Sequence, residues 1–359
     1  MKLYYATRVS IPSSAAQSVQ IDAMCEAFGK QNIEFKLIST SSKYNVNLQK
    51  EFFWDKIKVN SRFKYLEFSV KSFFKVVKEK PNCIFTRDII IAFILSFLNL
   101  KVMYEVHKEP KTIIASLILK YLKYKDNFYL MSISRALKDY YIEEYHFNSN
   151  KILDYHDGVF IEKYNKYRDI SKNDLRENLG LAQDKTIIMH TGSLYKGNDA
   201  KLFKTVVDNF KEILFVQVGG NKSDISKYKE FYKSNKNIVF IGHQSHEDII
   251  KYQMSADLLF YALTKSNNLW KFTSPLKLFE YMATGIPILG SNIGSVGEVL
   301  TSKNAIIFHP EDNKSIIDGV RYFLENKKKC EILAQNALKD IESKYTWEKR
   351  VENILEFIK

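Results

Sequence analysis

A loop that combines small residues with a lysine is the first segment whose residue types suit phosphate chemistry. It reads HTGSLYKG from His190, after an apolar strand-like run and before an amphipathic one. Gly192 and Ser193 let the backbone approach a ligand closely, and Lys196 beside a helix N-terminus adds a point charge to the amide donors there. The P-loop pattern GxxxxGK[ST] is absent, so an ordinary solvated loop is the alternative.

A second segment combines helix boundary signals with a cation and a carboxylate on one face. It reads TSPLKLFEYMATGIP, which predicts a helix capped by Ser274, beginning at Pro275 and ending at Gly285. Lys277 falls in the first turn, where the helix dipole disfavours a cation, so its placement predicts a nearby anion. Glu280 lies one turn later and can accept hydrogen bonds from two vicinal hydroxyls, as on a ribose. A plain Lys277–Glu280 surface pair is the alternative.

Short apolar, β-rich runs alternate with longer amphipathic runs, which predicts right-handed βαβ units on parallel sheets. The pattern restarts after Tyr167, so we expect a Rossmann-like domain at 1–165 and a second at 166–343. The polar segment 162–169 suits the connection, and a terminal helix at 344–359 can pack back on the first domain. Ligands of open parallel sheets bind beyond the carboxyl ends of strands, so chemistry is expected in loops that face an interdomain cleft.

The predicted strands are Lys2–Ala6, Glu34–Ser39, Cys83–Thr86, Val102–Val106, Phe128–Ser132, Thr186–Thr191, Ile213–Val218, Ile238–Ile241, Leu258–Tyr261, Ile286–Leu289 and Ala305–Phe308.

Composition excludes several classes of protein. The chain has 359 residues, of which 45% are hydrophobic, so it is not disordered. Cys25, Cys83 and Cys330 are odd in number and far apart, which argues against a disulfide framework or a zinc ribbon and fits a reducing cytoplasm. The start lacks the apolar core of a signal peptide, and the longest apolar run is too short to span a membrane.

The charge is strongly basic and unevenly distributed. The net charge is +13, and residues 1–170 hold 27 basic and 18 acidic residues. This balance favours an anionic partner, whether nucleic acid, phosphorylated substrate or lipid, with a merely basic surface as the alternative. Basic residues interleave with aromatic or apolar ones at 56–80 and 111–125, which suits an anionic membrane interface or, equally, a core-facing helix with solvated lysines. No motif supports nucleic-acid binding.

Several short motifs follow one another in a specific order. Besides SPLKLFEYMATGIP, they are SAAQSVQ from Ser14, YEVH ending at His107, YHDGV from Tyr155, VGG from Val218, IG from Ile241 and YTWE from Tyr345. Together they resemble the family-4 retaining glycosyltransferases, which have the GT-B fold, over nearly the whole chain. The resemblance implies that the second domain binds a nucleotide diphosphate-sugar and the first binds the acceptor.

The resemblance also implies roles for individual residues. Glu280 matches the second glutamate of the family's E-x7-E pattern and would hold the donor ribose, and Lys196 matches the lysine that contacts the donor phosphates. His107 matches the histidine near the transferred sugar, although a structural, hydrogen-bonded histidine is the alternative. These three are the candidate catalytic residues. The wider donor site comprises Gly192, Ser193, Lys196, Gly219, Gly242, Ser274, Pro275, Lys277 and Glu280, and the acceptor site Ser14 and Gln17.

Two positions depart from the family pattern. The first glutamate of E-x7-E is replaced by Phe272, which puts recognition of the donor sugar in doubt. Ser193 stands where many members carry an arginine that shares the phosphate charge. We hypothesise that Lys277 supplies the missing positive charge.

The absence of a D-x-D motif anywhere in the sequence predicts transfer without a metal and without any other cofactor. The charge of the leaving group would then meet lysines and backbone amides, as in an oxyanion hole. We expect a retaining transferase in which the acceptor attacks the sugar from its front face. It would move the sugar to a glycan or polyprenyl-linked glycan in bacterial surface polysaccharide assembly. It would act in the cytoplasm, with peripheral association at the inner face of the plasma membrane. The alternatives are a nucleotide-sugar 2-epimerase of the same architecture and a non-catalytic nucleotide- or glycan-binding protein.

Overall fold

The computed structural model describes residues 1–9, 11, 16–40, 52–60, 63–194 and 200–359. The chain divides into two compact units. Unit 1 comprises Met1–His156 and Trp347–Lys359, and unit 2 comprises Asp157–Thr346. The division therefore falls nine residues before the expected 165/166 boundary and three residues after the expected 343/344 boundary.

Unit 1 is a parallel sheet of seven strands in the order β3-β2-β1-β4-β5-β6-β7. The order reverses direction between β1 and β4, which places a switch point at the carboxyl ends of these two strands. The strands are β1 Lys2–Thr7, β2 Glu34–Thr40, β3 Phe53–Ile57, β4 Cys83–Thr86, β5 Lys101–Val106, β6 Phe128–Ser132 and β7 Ile152–Asp154. Between them lie helices α1 Ala16–Gly29, α2 Lys64–Glu79, α3 Ile89–Leu95, α4 Ile113–Leu122 and α5 Arg135–Tyr145.

Unit 2 is a parallel sheet of six strands in the order β10-β9-β8-β11-β12-β13, with its switch point between β8 and β11. The strands are β8 Ile187–Thr191, β9 Leu214–Val218, β10 Ile238–Ile241, β11 Leu258–Tyr261, β12 Ile288–Ser291 and β13 Ile306–Phe308. The helices are α6 Glu162–Asn165, α7 Lys172–Asn178, α8 Leu202–Asn209, α9 Lys222–Phe231, α10 His246–Ser255, α11 Leu276–Thr284, α12 Asn313–Glu325 and α13 Lys327–Lys344. The predicted alternation of strands and helices on two parallel sheets is confirmed.

Both faces of the second sheet are buried, as parallel sheets require. Successive residues of β8 alternate between two apolar clusters: Ile187 and Met189 join one, and Ile188 joins the other. The three cysteines are buried and unbonded, as their number and spacing predict. Among the described residues, the helices fall short of the length and hydropathy needed to cross a lipid bilayer.

A last helix, α14 at Trp347–Phe357, belongs to unit 1 and is fixed there by a buried arginine. Arg350 Nη2 lies 2.5 Å from Glu105 Oε1, and both side chains are inaccessible to solvent. Arg350 Nη1 donates to the carbonyl oxygens of Tyr155 and His156, each at 2.5 Å. The returning helix is thereby tied both to the end of β5 and to the last residues of unit 1 before the chain leaves it.

The structure corrects the prediction that residues 162–169 form a polar linker. It is a packed part of unit 2 that includes α6, with Tyr164 and Tyr167 buried three residues apart. Arg168 Nη2 donates to the carbonyl oxygen of Ala283 at 2.8 Å, which satisfies a carbonyl that α11 leaves open at its C-terminus. The segment looks like a linker because its charges dominate the composition while only the tyrosines carry the packing.

Candidate functional site

Three strands of unit 2 end side by side, and each is followed directly by a glycine. Gly192 follows β8, Gly219 follows β9 and Gly242 follows β10. Gly192 and Gly219 have φ of +116° and +101°, which L side chains rarely adopt. A Cβ on Gly219 would lie 2.8 Å from the carbonyl oxygen of Gly192, so glycine is the residue that lets these turns stack. The structure thus brings three of the predicted donor-site residues together at the carboxyl ends of β8, β9 and β10, on one side of the switch point.

The backbone of the Gly192 turn is hydrogen-bonded to the end of the neighbouring strand β9. The Gly192 N–H donates to the carbonyl of Val218 at 2.7 Å, and the Gly219 N–H donates to the carbonyl of Ile241 at 2.9 Å. The Gly192 amide is therefore already bonded, and the place of Gly192 at the start of a phosphate loop, which the family resemblance implies, stays a prediction. What the glycine provides instead is space.

That space is occupied by the side chain of Lys277. A Cβ added at Gly192 would lie 2.8 Å from Lys277 Cε and 3.0 Å from Lys277 Nζ. Lys277 is the second residue of α11, and it reaches across to the turn that follows β8. The lysine and the glycine loop, which the sequence treats as separate segments, form one site.

The ammonium of Lys277 contacts a buried histidine instead of its predicted surface partner. Lys277 Nζ lies 2.9 Å from His190 Nε2, and His190 Nδ1 lies 2.6 Å from Gln217 Oε1. The alternative of a plain Lys277–Glu280 surface pair is therefore wrong. His190 and Gln217 are both inaccessible to solvent.

The electrostatics of this chain favour a neutral histidine and a weakly held proton on the lysine. Burial and the neighbouring Lys277 charge keep the pKa of His190 well below its ordinary value. Burial lowers the pKa of Lys277 to about 8, against an opposing pull from the Glu280 charge. At neutral pH Lys277 is thus a cation whose contact at His190 is uncharged, an arrangement that suits an incoming anion.

The start of α11 differs from its prediction by one residue. Ser274 was expected to cap the helix, but its hydroxyl accepts a hydrogen bond from the Asp157 N–H at 2.8 Å. Pro275 occupies the N-cap position, and no side chain caps the helix there. The positive end of the helix dipole therefore lies beside Lys277 without a side-chain acceptor at its cap. The predicted end of the helix at Gly285 is confirmed by its left-handed φ of 73°.

Glu280 lies one turn along α11 and is partly exposed. Its Oε1 lies 3.3 Å from Nε2 of His246, the first residue of α10. The next residue, Tyr281, is buried, and its hydroxyl accepts a hydrogen bond from the Thr191 N–H at 2.7 Å. This bond fixes α11 against the end of β8 and so sets the distance between Glu280 and the glycine turns.

Some predicted donor residues contribute less than expected or fall outside the description. Ser193 is exposed at the end of the Gly192 turn. Phe272 lies before α11, and its N–H donates to the carbonyl of Leu269 at 3.0 Å. Lys196 and the acceptor-site candidate Ser14 lie outside the described residues.

The candidate histidine of unit 1 sits beside a buried carboxylate. His107 Nε2 lies 3.4 Å from Glu105 Oε1, and 26% of the His107 side chain is exposed. Burial opposes ionisation of Glu105, but the charges of Arg87, His107 and Arg350 outweigh it and hold its pKa well below the ordinary range. Arg87 Nε lies 2.5 Å from Glu105 Oε2. His107 is therefore oriented by an ion network, which fits either a structural or a catalytic histidine.

Gln17, the other acceptor-site candidate, lines a pocket of about 230 Å³ at the switch point of unit 1. Two arginines, Arg8 and Arg87, reach this pocket, and the guanidinium of Arg8 stacks 4.2 Å from the centre of the Tyr65 ring. The remaining lining residues are Thr7, Val9 and Asp88. The pocket offers hydrogen-bond donors to a polar or anionic group.

Three residues of the site were missed by the sequence analysis: His190 as the partner of Lys277, Gln217 as the partner of His190, and His246 as the neighbour of Glu280. A weak signal existed in two polar side chains, at 190 and 217, inside otherwise apolar strands. Within the described ranges, no group of three or more His, Cys, Asp or Glu side chains is placed to hold a metal ion.

Residues 171–340 match the family model described as glycosyl transferases group 1. Spore coat protein SA of Bacillus subtilis is 23% identical over 52% of this chain and 51% of its own length. The chain thus spans about half the length of the curated relatives it matches.

Two solved structures share the fold over almost the whole chain. A glycosyltransferase from Rickettsia africae has a TM-score of 0.81 at 15% identity and covers 99% of this chain and 98% of its own. Anabaena Alr3699/HepE in complex with UDP has a TM-score of 0.79 at 14% identity and covers 99% and 100%. The predicted fold class, GT-B with two Rossmann-like domains, is confirmed by this likeness.

Proposed function

From the match of residues 171–340 to the family model described as glycosyl transferases group 1, we propose that the chain transfers a sugar from a nucleotide diphosphate-sugar to a glycan or lipid-linked glycan. The observation that carries the proposal is the cation of Lys277, held against the turn at Gly192 beside the N-terminus of α11. A cation, a helix dipole and a turn that excludes side chains are what a diphosphate requires.

The leaving group explains why a cation is needed at this point. As the bond between the sugar and the diphosphate breaks, negative charge grows on the diphosphate oxygens. Lys277 and the first turn of α11 stabilise that charge, and Lys196 contributes a second cation in the proposal. Such preorganised charge stabilisation is commonly the largest single contribution to a transfer reaction.

Glu280 is proposed to bind the ribose of the donor. Its carboxylate accepts hydrogen bonds from both vicinal hydroxyls, and 19% of the side chain is exposed to receive them. His246 at 3.3 Å keeps one carboxylate oxygen oriented. The separation along α11 between Lys277 and Glu280 then places phosphate and ribose on one helix face.

The reaction is proposed to retain the configuration of the sugar and to need no metal or other cofactor. The support is the absence of D-x-D in the sequence together with the lysine that can replace a metal's charge. Attack from the front face, guided by the departing phosphate, accounts for retention without a covalent nucleophile. His107 in unit 1 is proposed to lie near the transferred sugar.

The acceptor side of the proposal rests on unit 1. Arg8, Arg87 and Gln17 supply donors in its pocket, which suits the hydroxyls or anionic groups of a glycan. We propose cytoplasmic action at an anionic membrane surface in bacterial surface polysaccharide assembly, with α4 as a contact, since its apolar side chains face solvent. No nucleic-acid partner is proposed.

The test begins with binding of UDP, GDP and ADP to wild type, measured by isothermal titration calorimetry at pH 7 without metal. We expect one nucleotide to bind, and we expect Lys277→Ala to weaken it by about 10- to 100-fold, because a hydrogen bond to a charged group is lost. Lys185→Ala is the matched control, since this exposed lysine precedes the amino end of β8, whereas Gly192 follows its carboxyl end. Equal binding by Lys277→Ala and wild type would refute the diphosphate site.

Turnover separates the proposal from its rival. Phe272 in place of the family's glutamate is the observation that favours a nucleotide-sugar 2-epimerase. A transferase releases free nucleotide in proportion to acceptor and stays active in EDTA, whereas an epimerase converts the nucleotide sugar with no acceptor present. Chromatography of the nucleotide products distinguishes the two outcomes.

A further inference from the structure

Gln217 is a buried amide whose orientation is fixed by the backbone around the glycine turns. Its Nε2 donates to the carbonyl of Gly192 at 2.9 Å and to the carbonyl of Val218 at 3.1 Å. Both NH protons are therefore directed at the turns, and the side-chain oxygen is left to face His190. The Gln217 side-chain oxygen is thus a fixed hydrogen-bond acceptor beside His190, which in turn contacts Lys277.

This acceptor selects one tautomer of His190. Because Gln217 Oε1 can only accept, His190 Nδ1 at 2.6 Å must carry the proton. The neutral ring then has a lone pair at Nε2, which accepts a hydrogen bond from Lys277 Nζ at 2.9 Å. The ring cannot turn freely, since its centre lies 5.0 Å from that of the buried Phe203 ring.

The arrangement solves a positioning problem for a flexible side chain. A lysine has a long stem with many rotamers, and a bound anion benefits only when the ammonium is already in place. The end of the Lys277 side chain packs against Gly192, in space that a Cβ would fill. His190 restricts the position of the Lys277 ammonium further through a directed hydrogen bond.

We propose that His190 and Gln217 are positioning residues that hold the Lys277 ammonium over the Gly192 turn, ready for the diphosphate of the donor. The role of the diphosphate rests on the proposed function, whereas the placement of Lys277 rests on the side-chain geometry alone. Neither residue touches the donor; each acts through Lys277.

The test measures Lys277 directly by competitive acetylation with acetic anhydride across pH 6–10, followed by mass spectrometry of the Lys277 peptide. Wild type is expected to show a reactivity midpoint near pH 8. His190→Phe removes the Nε2 acceptor of Lys277 but keeps an aromatic ring in its place. Gln217→Leu removes the acceptor that keeps the proton on His190 Nδ1. Each is expected to lower the midpoint by about one pH unit, because the ammonium form loses a hydrogen bond that stabilises it.

Gln253→Leu is the matched control, because Gln253 is an equally buried amide whose NH2 group donates to the Thr191 hydroxyl at 3.0 Å, whereas that of Gln217 donates to the glycine turns. Its midpoint is expected to equal that of wild type. Circular dichroism confirms folding of each variant, and His190→Phe reports on the proposal if Gln217→Leu does not fold. A Lys277 midpoint that is unchanged in the folded variants would overturn the positioning role.

UDP, GDP and ADP binding at pH 7 completes the design. A lowered midpoint together with about tenfold weaker binding of the nucleotide that wild type prefers supports both ideas. A lowered midpoint in the variants of a protein that binds none of the three nucleotides would refute the proposed function and still support the positioning of Lys277. The two failures are therefore distinguishable.

Discussion

At the scale of single residues, the protein keeps a cation where burial makes it costly. Lys277 has a pKa of about 8 instead of 10.5. Burial of a charge usually persists only when a partner or a function offsets it, and here the lysine contact is a neutral imidazole. We take the cost to be the mark of a ligand site.

Lys277→Met is expected to stabilise the folded protein while it weakens nucleotide binding. The unfolded lysine holds its proton up to about pH 10.5 and the folded one only to about pH 8, so wild type gains stability between these values as pH rises. The methionine variant lacks that gain and is expected to exceed wild type at pH 7 by about 1–3 kcal/mol. Urea unfolding at pH 7 and pH 10 measures the stability difference and its pH dependence, and isothermal titration calorimetry measures nucleotide binding. A variant that is less stable than wild type at pH 7 would contradict the prediction.

At the scale of elements, much of the fold could be predicted and the site only in part. Interior strands such as Ile187–Thr191 bury both faces, so their apolar runs are unmistakable. The edge strand β3 and the three-residue strand β7 escaped prediction, because an edge strand shares its polar residues with solvent and a short strand has no pattern.

The glycines and the helix at 276–284 were visible because turn and cap signals are local. The contact between His190 and Lys277 was not visible, since 87 residues separate them along the chain and only the sheet brings them together. The prediction that Ser274 caps the helix failed for a related reason. Its hydroxyl accepts a hydrogen bond from Asp157, which is distant in the sequence, and Pro275 occupies the N-cap position.

A substitution in the turn after β8 distinguishes backbone strain from displacement of the Lys277 side chain. Gly192→Ala forces a Cβ into the space of Lys277 Cε, so nucleotide affinity is expected to fall by about tenfold or more. Gly180→Ala is the control, because Gly180 also has a positive φ, of 65°, but open space around a Cβ. Calorimetry with UDP, GDP and ADP and thermal unfolding of both variants test this. Equal affinity in the two would show that strain alone is at work.

The attachment of α14 gives a second prediction at this scale. Arg350→Met leaves the buried carboxylate of Glu105 with one arginine fewer and two carbonyls without their donor. We expect a loss of about 3–5 kcal/mol in the free energy of unfolding at pH 7. The Glu105 pKa is depressed, so its contribution is present above about pH 4.5 and is lost as pH falls, which narrows the difference in acid.

Arg135→Met serves as the control for that experiment. Arg135 pairs with Asp154 at 3.2 Å, but its side chain is 70% exposed, so the change is expected to cost less than about 1 kcal/mol. Urea unfolding by circular dichroism compares the two variants. Similar losses from both would mean that the Glu105 network does not anchor the helix.

At the scale of the whole molecule, the charge and the exposed apolar residues coincide in unit 1. Helix α4 buries Leu119 and Leu122 against the core and turns four apolar side chains to solvent, so one face of this helix is core-facing and another is exposed. We call the α4 face these four side chains together with Tyr124, which follows the helix: Ile113, Ile114, Leu117, Tyr121 and Tyr124. Helix α3 packs between α4 and α2, and α2 exposes its own apolar stripe, at Leu66, Val70, Phe74 and Val77.

Lysines border this surface, which is the composition of an interfacial helix on anionic lipid. Lys120 and Lys123 lie on α4 or at its end, and Lys125 follows, with its ammonium 4.6 Å from the centre of the Phe97 ring. An apolar patch of this kind buries its side chains in the headgroup region while the lysines meet the lipid charge.

Wild type is therefore expected to co-sediment with vesicles of phosphatidylglycerol and phosphatidylcholine at low salt, less so at high salt, and hardly at all with phosphatidylcholine alone. Ile114→Asp places a carboxylate in the α4 face, where 69% of the isoleucine is exposed, and is expected to reduce binding at least tenfold without loss of stability. Ile332→Asp is the control, because this isoleucine is 61% exposed but lies on α13 in unit 2. If Ile114→Asp binds vesicles as well as wild type, or if Ile332→Asp weakens binding equally, the α4 face does not contact the membrane. Lipid binding would then depend on the overall basic charge alone.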